Sequence, residues 1–196
     1  IRSKLDVYLS NDSEQYQQKY LDSGLFNSKV KILDLNNDGF SEIIVIGLTS
    51  DTSSGVPKFY IYEYVDNNDF NKVDLSDQIP QLNSSSFDLG DVDNDGDIDL
   101  IISGFDESDG LLSYIYLNET SLGGEYVLTK TNNNLVAIRD GSVDFIDYDS
   151  DGDLDAVFTG TGVQGDIFEI YRNDISDGKE NWPRIELGLN GMRNGK

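Results

Sequence analysis

Asp91-Val92-Asp93-Asn94-Asp95-Gly96-Asp97-Ile98-Asp99 decides how this chain reads, because it is one of three copies. The others are Asp34-Leu35-Asn36-Asn37-Asp38-Gly39-Phe40-Ser41-Glu42 and Asp147-Tyr148-Asp149-Ser150-Asp151-Gly152-Asp153-Leu154-Asp155. Their first residues lie 57 and 56 positions apart, so the chain is built from a repeating unit of that length. The surroundings repeat too. Alternating residues precede each copy: Val30 and Ile32, Phe87 and Leu89, Val143 and Phe145. An apolar run ending in glycine follows: Ile43 to Gly47, Leu100 to Gly104, Ala156 to Gly160. A third segment carries Ile61-Tyr62, Ile115-Tyr116 or Ile170-Tyr171, and a fourth begins at Phe70 or Tyr126, 21 residues before the next Asp-rich motif.

Short β-branched and aromatic segments bounded by Gly, Asn, Asp and Ser are strands, not helices. Four antiparallel strands per unit match the blade of a β-propeller. The sequence therefore predicts an all-β fold of β-propeller blades with four antiparallel strands each. About three to three and a half repeats form a single segment over residues 1–196, a partial propeller or part of a roughly seven-bladed one. The units are expected at about 30–86, 87–142 and 143–196, with 1–29 the remainder of a preceding blade, because Val7-Tyr8 resembles a third segment. Trp182 takes the fourth-segment aromatic position, which puts the next Asp motif near residue 203. Further blades of the same parent, or another copy, are thus expected to complete the structure. Tyr62, Tyr116 and Tyr171 recur in every unit, so packing between blades is expected of them before any sugar-stacking role.

The spacing of the Asp motif has a chemical reason. Positions 1, 3 and 5 of a tight loop turn their oxygens inward, Gly at 6 permits the sharp turn, position 7 offers its carbonyl, and the acid at 9 closes the site directly or through water. Oxygen-only donors in that number suit Ca²⁺ better than Mg²⁺. The candidate metal ligands are Asp34, Asn36, Asp38, Phe40 and Glu42; Asp91, Asp93, Asp95, Asp97 and Asp99; and Asp147, Asp149, Asp151, Asp153 and Asp155. About three Ca²⁺ sites are expected, one per loop. An EF-hand is excluded because its bidentate Glu at position 12 is replaced by Val45, Ile102 and Phe158, each inside an apparent strand. A dockerin-like pair fails for the same reason.

Composition narrows the chemistry. The chain has 37 acidic and 14 basic residues and a net charge of −23, so phosphate backbones and anionic lipids are repelled. No nucleic acid and no membrane insertion are expected, since no apolar run approaches the ~20 residues of a membrane helix. With neither His nor Cys, His-based triads, thiol chemistry and His- or Cys-ligated zinc are absent from the chain. Paired carboxylates run glycoside hydrolysis, but every candidate acid here recurs as a repeat ligand and no catalytic residue is expected. Ile1-Arg2-Ser3-Lys4 opens with neither an initiating Met nor a hydrophobic core, so a mature product or excised piece is expected. Sequons at Asn11, Asn83 and Asn118 matter only where the source glycosylates.

The D-x-D-x-D-G-x-x-D loops between strands, the Gly90-Asp91 step, and the segments Tyr116-Leu117-Asn118 and Tyr171-Arg172-Asn173 resemble the FG-GAP-like, or VCBS-type, repeats of extracellular β-propellers, related to the integrin α-subunit head. The resemblance covers essentially the whole chain. The first copy departs from it with Asn36 at 3, Phe40 at 7 and Glu42 at 9, which makes it the weakest of the three expected sites. The resemblance implies calcium in the loop between the first and second strands of each blade, stabilising the fold, with ligands on the opposite face. That face would carry the loops near 49–57, 105–110 and 161–166 and the connections near 78–85 and 131–141. The expected function is a calcium-stabilised, non-enzymatic scaffold, secreted or at the cell surface, for adhesion or recognition of an extracellular protein or glycan ligand. The competing expectation is a non-catalytic part of a secreted polysaccharide-active lyase or hydrolase.

Overall fold

The computed structural model describes residues 4–10, 16–51, 55–66, 69–173 and 182–186, and among these it is entirely β. Strands β1 (Leu5–Ser10) and β2 (Tyr16–Asp22) form a hairpin. β3 (Phe26–Leu33), β4 (Glu42–Leu48), β5 (Pro57–Tyr64) and β6 (Phe70–Asp74) form the first four-stranded antiparallel sheet, in chain order. β7 (Asn83–Gly90), β8 (Asp99–Asp106), β9 (Gly110–Asn118) and β10 (Leu128–Lys130) form the second. β11 (Arg139–Ile146), β12 (Asp155–Gly162) and β13 (Gly165–Tyr171) form the third. Residues 182–186 run beside β13 through the Tyr171–Arg184 bridge and the Ile185 N–H to Ile170 carbonyl bond of 2.8 Å, in the place of a fourth strand. Phe70 begins the fourth strand of its sheet as expected. In the second sheet pairing starts two residues after Tyr126, at Leu128, and the Tyr126 ring is buried in the core between sheets.

Alternation puts one face of each strand against a neighbouring sheet, and three seams result. Ile43, Val45 and Tyr62 pack with Leu5, Val7 and Leu21 between the hairpin and the first sheet. Ile44, Ile46, Phe59, Phe87, Leu100, Ile102 and Tyr116 fill the seam between the first and second sheets, where the Phe59 and Phe87 rings meet edge to face at 5.9 Å. Ile101, Ile115, Val143, Phe158, Tyr171 and Trp182 fill the seam between the second and third. The three repeated tyrosines are therefore packing residues, one in each seam. Trp182 is buried and locked by reciprocal bonds between its backbone and the Asn134 amide, at 3.0 and 3.2 Å. The first strands are also laced together. Ser86 Oγ accepts from the Val143 N–H and from Lys29, and Asp88 accepts from the Phe145 N–H at 2.9 Å and pairs with Lys31 at 2.6 Å.

The glycine that ends each apolar run has a structural cause. The first strand of every sheet carries a bulge in which two residues oppose one: Asn27-Ser28 across from Gly47, Ser84-Ser85 across from Gly104, and Asp140-Gly141 across from Gly160. One residue of each bulge takes a positive φ, at Asn27, Ser84 and Asp140, which tightens the strand against its neighbour. A Cβ on Gly104 would lie 2.7 Å from the Leu82 Cβ and 3.0 Å from the Asn83 carbonyl oxygen. Of the sequons, Asn11 lies outside the described residues, Asn83 opens β7, and the Asn118 amide is buried.

Because the bulge leaves no space for a methyl group, we expect Gly104→Ala to lower stability by about 1–3 kcal/mol. Urea unfolding followed by circular dichroism measures the loss; an unchanged midpoint would contradict the close approach.

Candidate metal centres

Each Asp loop joins the first and second strands of its sheet across eight residues, 34–41, 91–98 and 147–154. The backbone turn is the same in all three. Position 4 takes a left-handed conformation at Asn37, Asn94 and Ser150, with φ of 56°, 59° and 63°. The glycine at position 6 has φ of 90°, 96° and 99°, beyond what a Cβ tolerates. In the first two loops the carboxylate at position 1 organises this turn. Asp34 accepts from the N–H groups of Asp38 and Gly39, and Asp91 from those of Asp95 and Gly96, at 2.9–3.1 Å. In every loop the acid at position 5 accepts from the N–H of position 7, at 2.8–3.0 Å.

The acid at position 9 is the first residue of the second strand, and the sheet buries it. Glu42 and Asp99 are 1% exposed and Asp155 is 0% exposed. One oxygen of each accepts from the N–H of position 2 in its own loop, Leu35, Val92 or Tyr148, at 2.7–2.8 Å. The remaining geometry gathers carboxylates around it. Asp34, Asp38 and Glu42 each place an oxygen within 4.8 Å of the others, as do Asp91, Asp93 and Asp99, and Asp147, Asp149 and Asp155. Asn36 is buried beside the first group, with its Oδ1 accepting from the Asp38 N–H at 3.1 Å. Asp95, Asp97, Asp151 and Asp153 lie in the same loops but outside these clusters. Phe40 is exposed and packs its ring, tilted by 32°, against Tyr64, ring centroids 5.6 Å apart.

Burial and like charge act together on these acids. Desolvation, reinforced by Asp38 and Asp34, pushes Glu42 up to about 7. Desolvation, with Asp93 and Asp95 nearby, does the same to Asp99, also to about 7. Asp155 and Asp93 are raised for the same reasons. Asp93, one of the clustered acids, has its Oδ1 buried with no hydrogen-bond partner, an unsatisfied acceptor that a cation would satisfy. Oxygen donors alone, crowded carboxylates and one unsatisfied buried oxygen fit a hard divalent ion.

The loops are tied to the neighbouring sheets, a feature that spacing alone did not reveal. Asp99 Oδ1 accepts from the Asn118 N–H at 2.8 Å, while Asn118 Nδ2 donates 2.8 Å to the Leu35 carbonyl in the loop of the preceding sheet. Asp155 and Asn173 repeat the arrangement, with Asn173 Nδ2 donating 2.7 Å to the Val92 carbonyl. A second link runs along the loops. Asn37 Nδ2 donates to Asp97 at 2.5 Å and Asn94 Nδ2 to Asp153 at 2.7 Å. Position 7 thus uses its side chain to hold the preceding loop. The signal for these residues was in the sequence, as the recurrence of Asn after the Tyr116 and Tyr171 segments and of Asn at position 4.

Four-stranded antiparallel sheets in series, each with an acidic turn between its first two strands, define an all-β repeat protein of the propeller-blade class. Residues 34–102, from the first Asp loop into β8, match the family model of the FG-GAP-like repeat. No curated protein matches the chain.

Two outcomes test the centres. Asn118→Ala leaves the Leu35 carbonyl without its donor, and a stability loss of about 1–3 kcal/mol is expected in urea titrations. The pH dependence has a defined sign. Unfolded, the position 9 acids titrate near ~4; folded and metal-free, Glu42 and Asp99 titrate at about 7. The folded chain then binds more protons between those limits, so this stabilisation is complete below the unfolded value and is lost as pH rises through the folded one. The melting temperature of chelator-treated protein should fall between about pH 5 and 8, and millimolar Ca²⁺ should abolish that fall.

Proposed function

We propose that the three Asp loops bind Ca²⁺ and that the chain is a calcium-stabilised, non-enzymatic recognition scaffold. The observation that carries the reading is the threefold recurrence of carboxylates within 4.8 Å around a fully buried acid. Bound ions would bring the net charge from −23 to −17, relieve the repulsion within each cluster, and fix the turn from which the Asn clamps reach the neighbouring sheet. The chain's own part is to hold the donors: position 1 sets the turn, position 3 points into the cluster, and position 9 ties the site to the sheet.

Placement outside the cell or at its surface belongs to the same proposal. Loops of this kind in extracellular modules bind calcium at ~10⁻⁴–10⁻³ M, which cytosolic calcium does not reach. The ligand, a protein or glycan, is assigned to the end opposite the Asp loops. Two clefts of 330 Å³ each open there between the first and second sheets and share Gln81 and Asp106. Gly55–Pro57, Asn83 and Glu107 complete one, while Gln78, Asp109, Tyr114 and Lys130 line part of the other. Amide donors, carboxylate acceptors and a tyrosine ring are the groups and faces that polar ligands use.

Calcium dependence is read from thermal melts. At calcium a hundredfold above the dissociation constant each independent site adds about 2.7 kcal/mol, so three sites correspond to a rise of roughly 15–30 °C for a chain of this size. Asp93→Ala and Asp149→Ala should each remove more of that rise than Asn36→Ala. A melting curve unchanged by excess chelator would refute calcium binding, and turnover of a polysaccharide by this chain would refute the non-enzymatic reading.

A further inference from the structure

The first metal centre differs from the other two in its charge. Its loop carries three acids, Asp34, Asp38 and Glu42, because Asn36 and Phe40 take positions that are aspartate in both other copies, which carry five each. The strand pairing supplies a fourth. Ile44 faces Ile61 and Ile43 faces Tyr62 across β4 and β5, so the next pair in that register is Glu42 and Glu63. The same step sets Asp99 against Leu117 and Asp155 against Arg172. Of the three centres, the first alone has a second carboxylate across from its buried acid. Like charges directly opposite one another weaken a sheet, and Glu63 adds to the repulsion that raises Glu42. One Glu63 oxygen accepts from Asn71 Nδ2 of β6 at 2.8 Å.

Alternation carries Phe59 and Ile61 into the seam with the second sheet, and Glu63 follows on the same face. There it meets the connection after β9, residues 119–127, which folds over the first Asp loop. The Gly123 N–H donates to the Asn36 carbonyl at 3.1 Å, beside the bond from Asn118 to Leu35. Tyr126 belongs to this connection and is 6% exposed. Its ring sits in the apolar seam with Leu35 and Ile61, which accounts for the ring but not for the hydroxyl. That hydroxyl is buried without a hydrogen-bond partner. The charged side chains around it are Glu42, Glu63 and Asp38. A buried donor that faces three carboxylates and bonds to none is left unsatisfied by the fold alone.

We propose that Glu63 is the fourth acid of the first centre, supplying the charge that Asn36 lacks, and that the Tyr126 hydroxyl donates to it when a cation is held. The proposal rests on the calcium reading given above and adds two residues that the Asp-loop spacing does not assign. Glu63 is not among the three acids gathered within 4.8 Å, so both residues are positioning residues. Groups in this outer layer set the charge and orientation of the ligands they face. Tyr126 comes from the second sheet and the acids from the first, so calcium binding at this centre is coupled to the seam between them.

The test titrates Ca²⁺ into the isotope-labelled whole chain and follows the amide signals of Gly39, Gly96 and Gly152, one in each loop. The first two donate to the position 1 carboxylate of their own loop, so each reports its own centre. In Glu63→Gln the half-response of Gly39 should move to roughly 10–100-fold higher calcium, with Gly96 and Gly152 unmoved. Glu186→Gln, which removes an exposed acid beside the third sheet, should move none of them. Tyr126→Phe keeps the ring and should raise the Gly39 half-response about tenfold, the worth of one hydrogen bond to a charged group. Because the hydroxyl is unsatisfied without the ion, the same variant should melt no lower than the parent chain in chelator. An unshifted Gly39 response in Glu63→Gln, or an equal shift in Glu186→Gln, would overturn the proposal while leaving calcium binding in place. A Tyr126→Phe chain that melts lower in chelator with its calcium response unchanged would reduce the hydroxyl to a packing role and overturn its assignment. Silence of all three glycines would refute calcium binding itself, and the proposal with it.

Discussion

A carboxylate buried at the first residue of the second strand, facing others of the same sign, is the constraint on which the rest of this structure depends. At a separation of 4.8 Å and an effective dielectric constant of about 20, two unit charges repel by about 3.5 kcal/mol. Three ionised acids in one cluster would therefore cost on the order of 10 kcal/mol, comparable to the whole stability of an ordinary domain. The strands, turns and backbone donors around position 9 hold the acids in this arrangement. Something must then neutralise them, and the choices open to a His-free, Cys-free chain are a proton or a cation. The upward displacement of Glu42 and Asp99 is the protonic solution. The buried Asp93 Oδ1 is an acceptor without a donor, which a proton shared within the cluster or a bound cation would satisfy.

The same acid is also where the loop meets the seam. Asp99 and Asp155 accept both from their own loop and from the Asn that follows the third strand, and that Asn holds a carbonyl in the preceding loop. A perturbation of one cluster therefore reaches the sheet before it through two hydrogen bonds, in parallel with the Asn37–Asp97 and Asn94–Asp153 links. The apolar seams carry most of the packing energy, since hydrophobic burial is the dominant favourable contribution to folding. The directional bonds at the acidic end add to that packing, tying each loop to the one before it.

Much of this was legible in the sequence because repetition separates signal from composition. In a chain with so many acids a single Asp-Gly turn says little, but three at intervals of 57 and 56, each between alternating and continuous apolar runs, specify strand, turn and strand. The apolar glycine at Gly47, Gly104 and Gly160 was visible as punctuation, while its cause, a bulge in the partner strand, needed the register. Tyr126 was assigned to the start of a strand because aromatic residues favour strands; burial between sheets took that ring instead, and pairing began at Leu128. Asn118 and Asn173 were visible only as part of a motif. Their role is to reach into another unit some 80 residues earlier in the chain, and no local pattern encodes a hydrogen bond of that span.

The two ends of the sheets differ in a way that bears on the proposed ligand face. The Asp loops have one length, eight residues, and one backbone course, and their side chains are committed to the turn, the cluster or the next loop. At the opposite end the connections between second and third strands contain eight, three and two residues, at 49–56, 107–109 and 163–164. A surface made of loops of equal length and one backbone course presents similar groups from successive sheets and offers little relief. Connections of unequal length over a fixed framework create relief, and the clefts sharing Gln81 and Asp106 lie where the longest of them crosses the seam. Restricting the acidic clusters to one end leaves the other free to vary without disturbing the hydrogen bonds that link successive loops. That separation is the physical ground for the proposal that a ligand is taken at the end away from the acids.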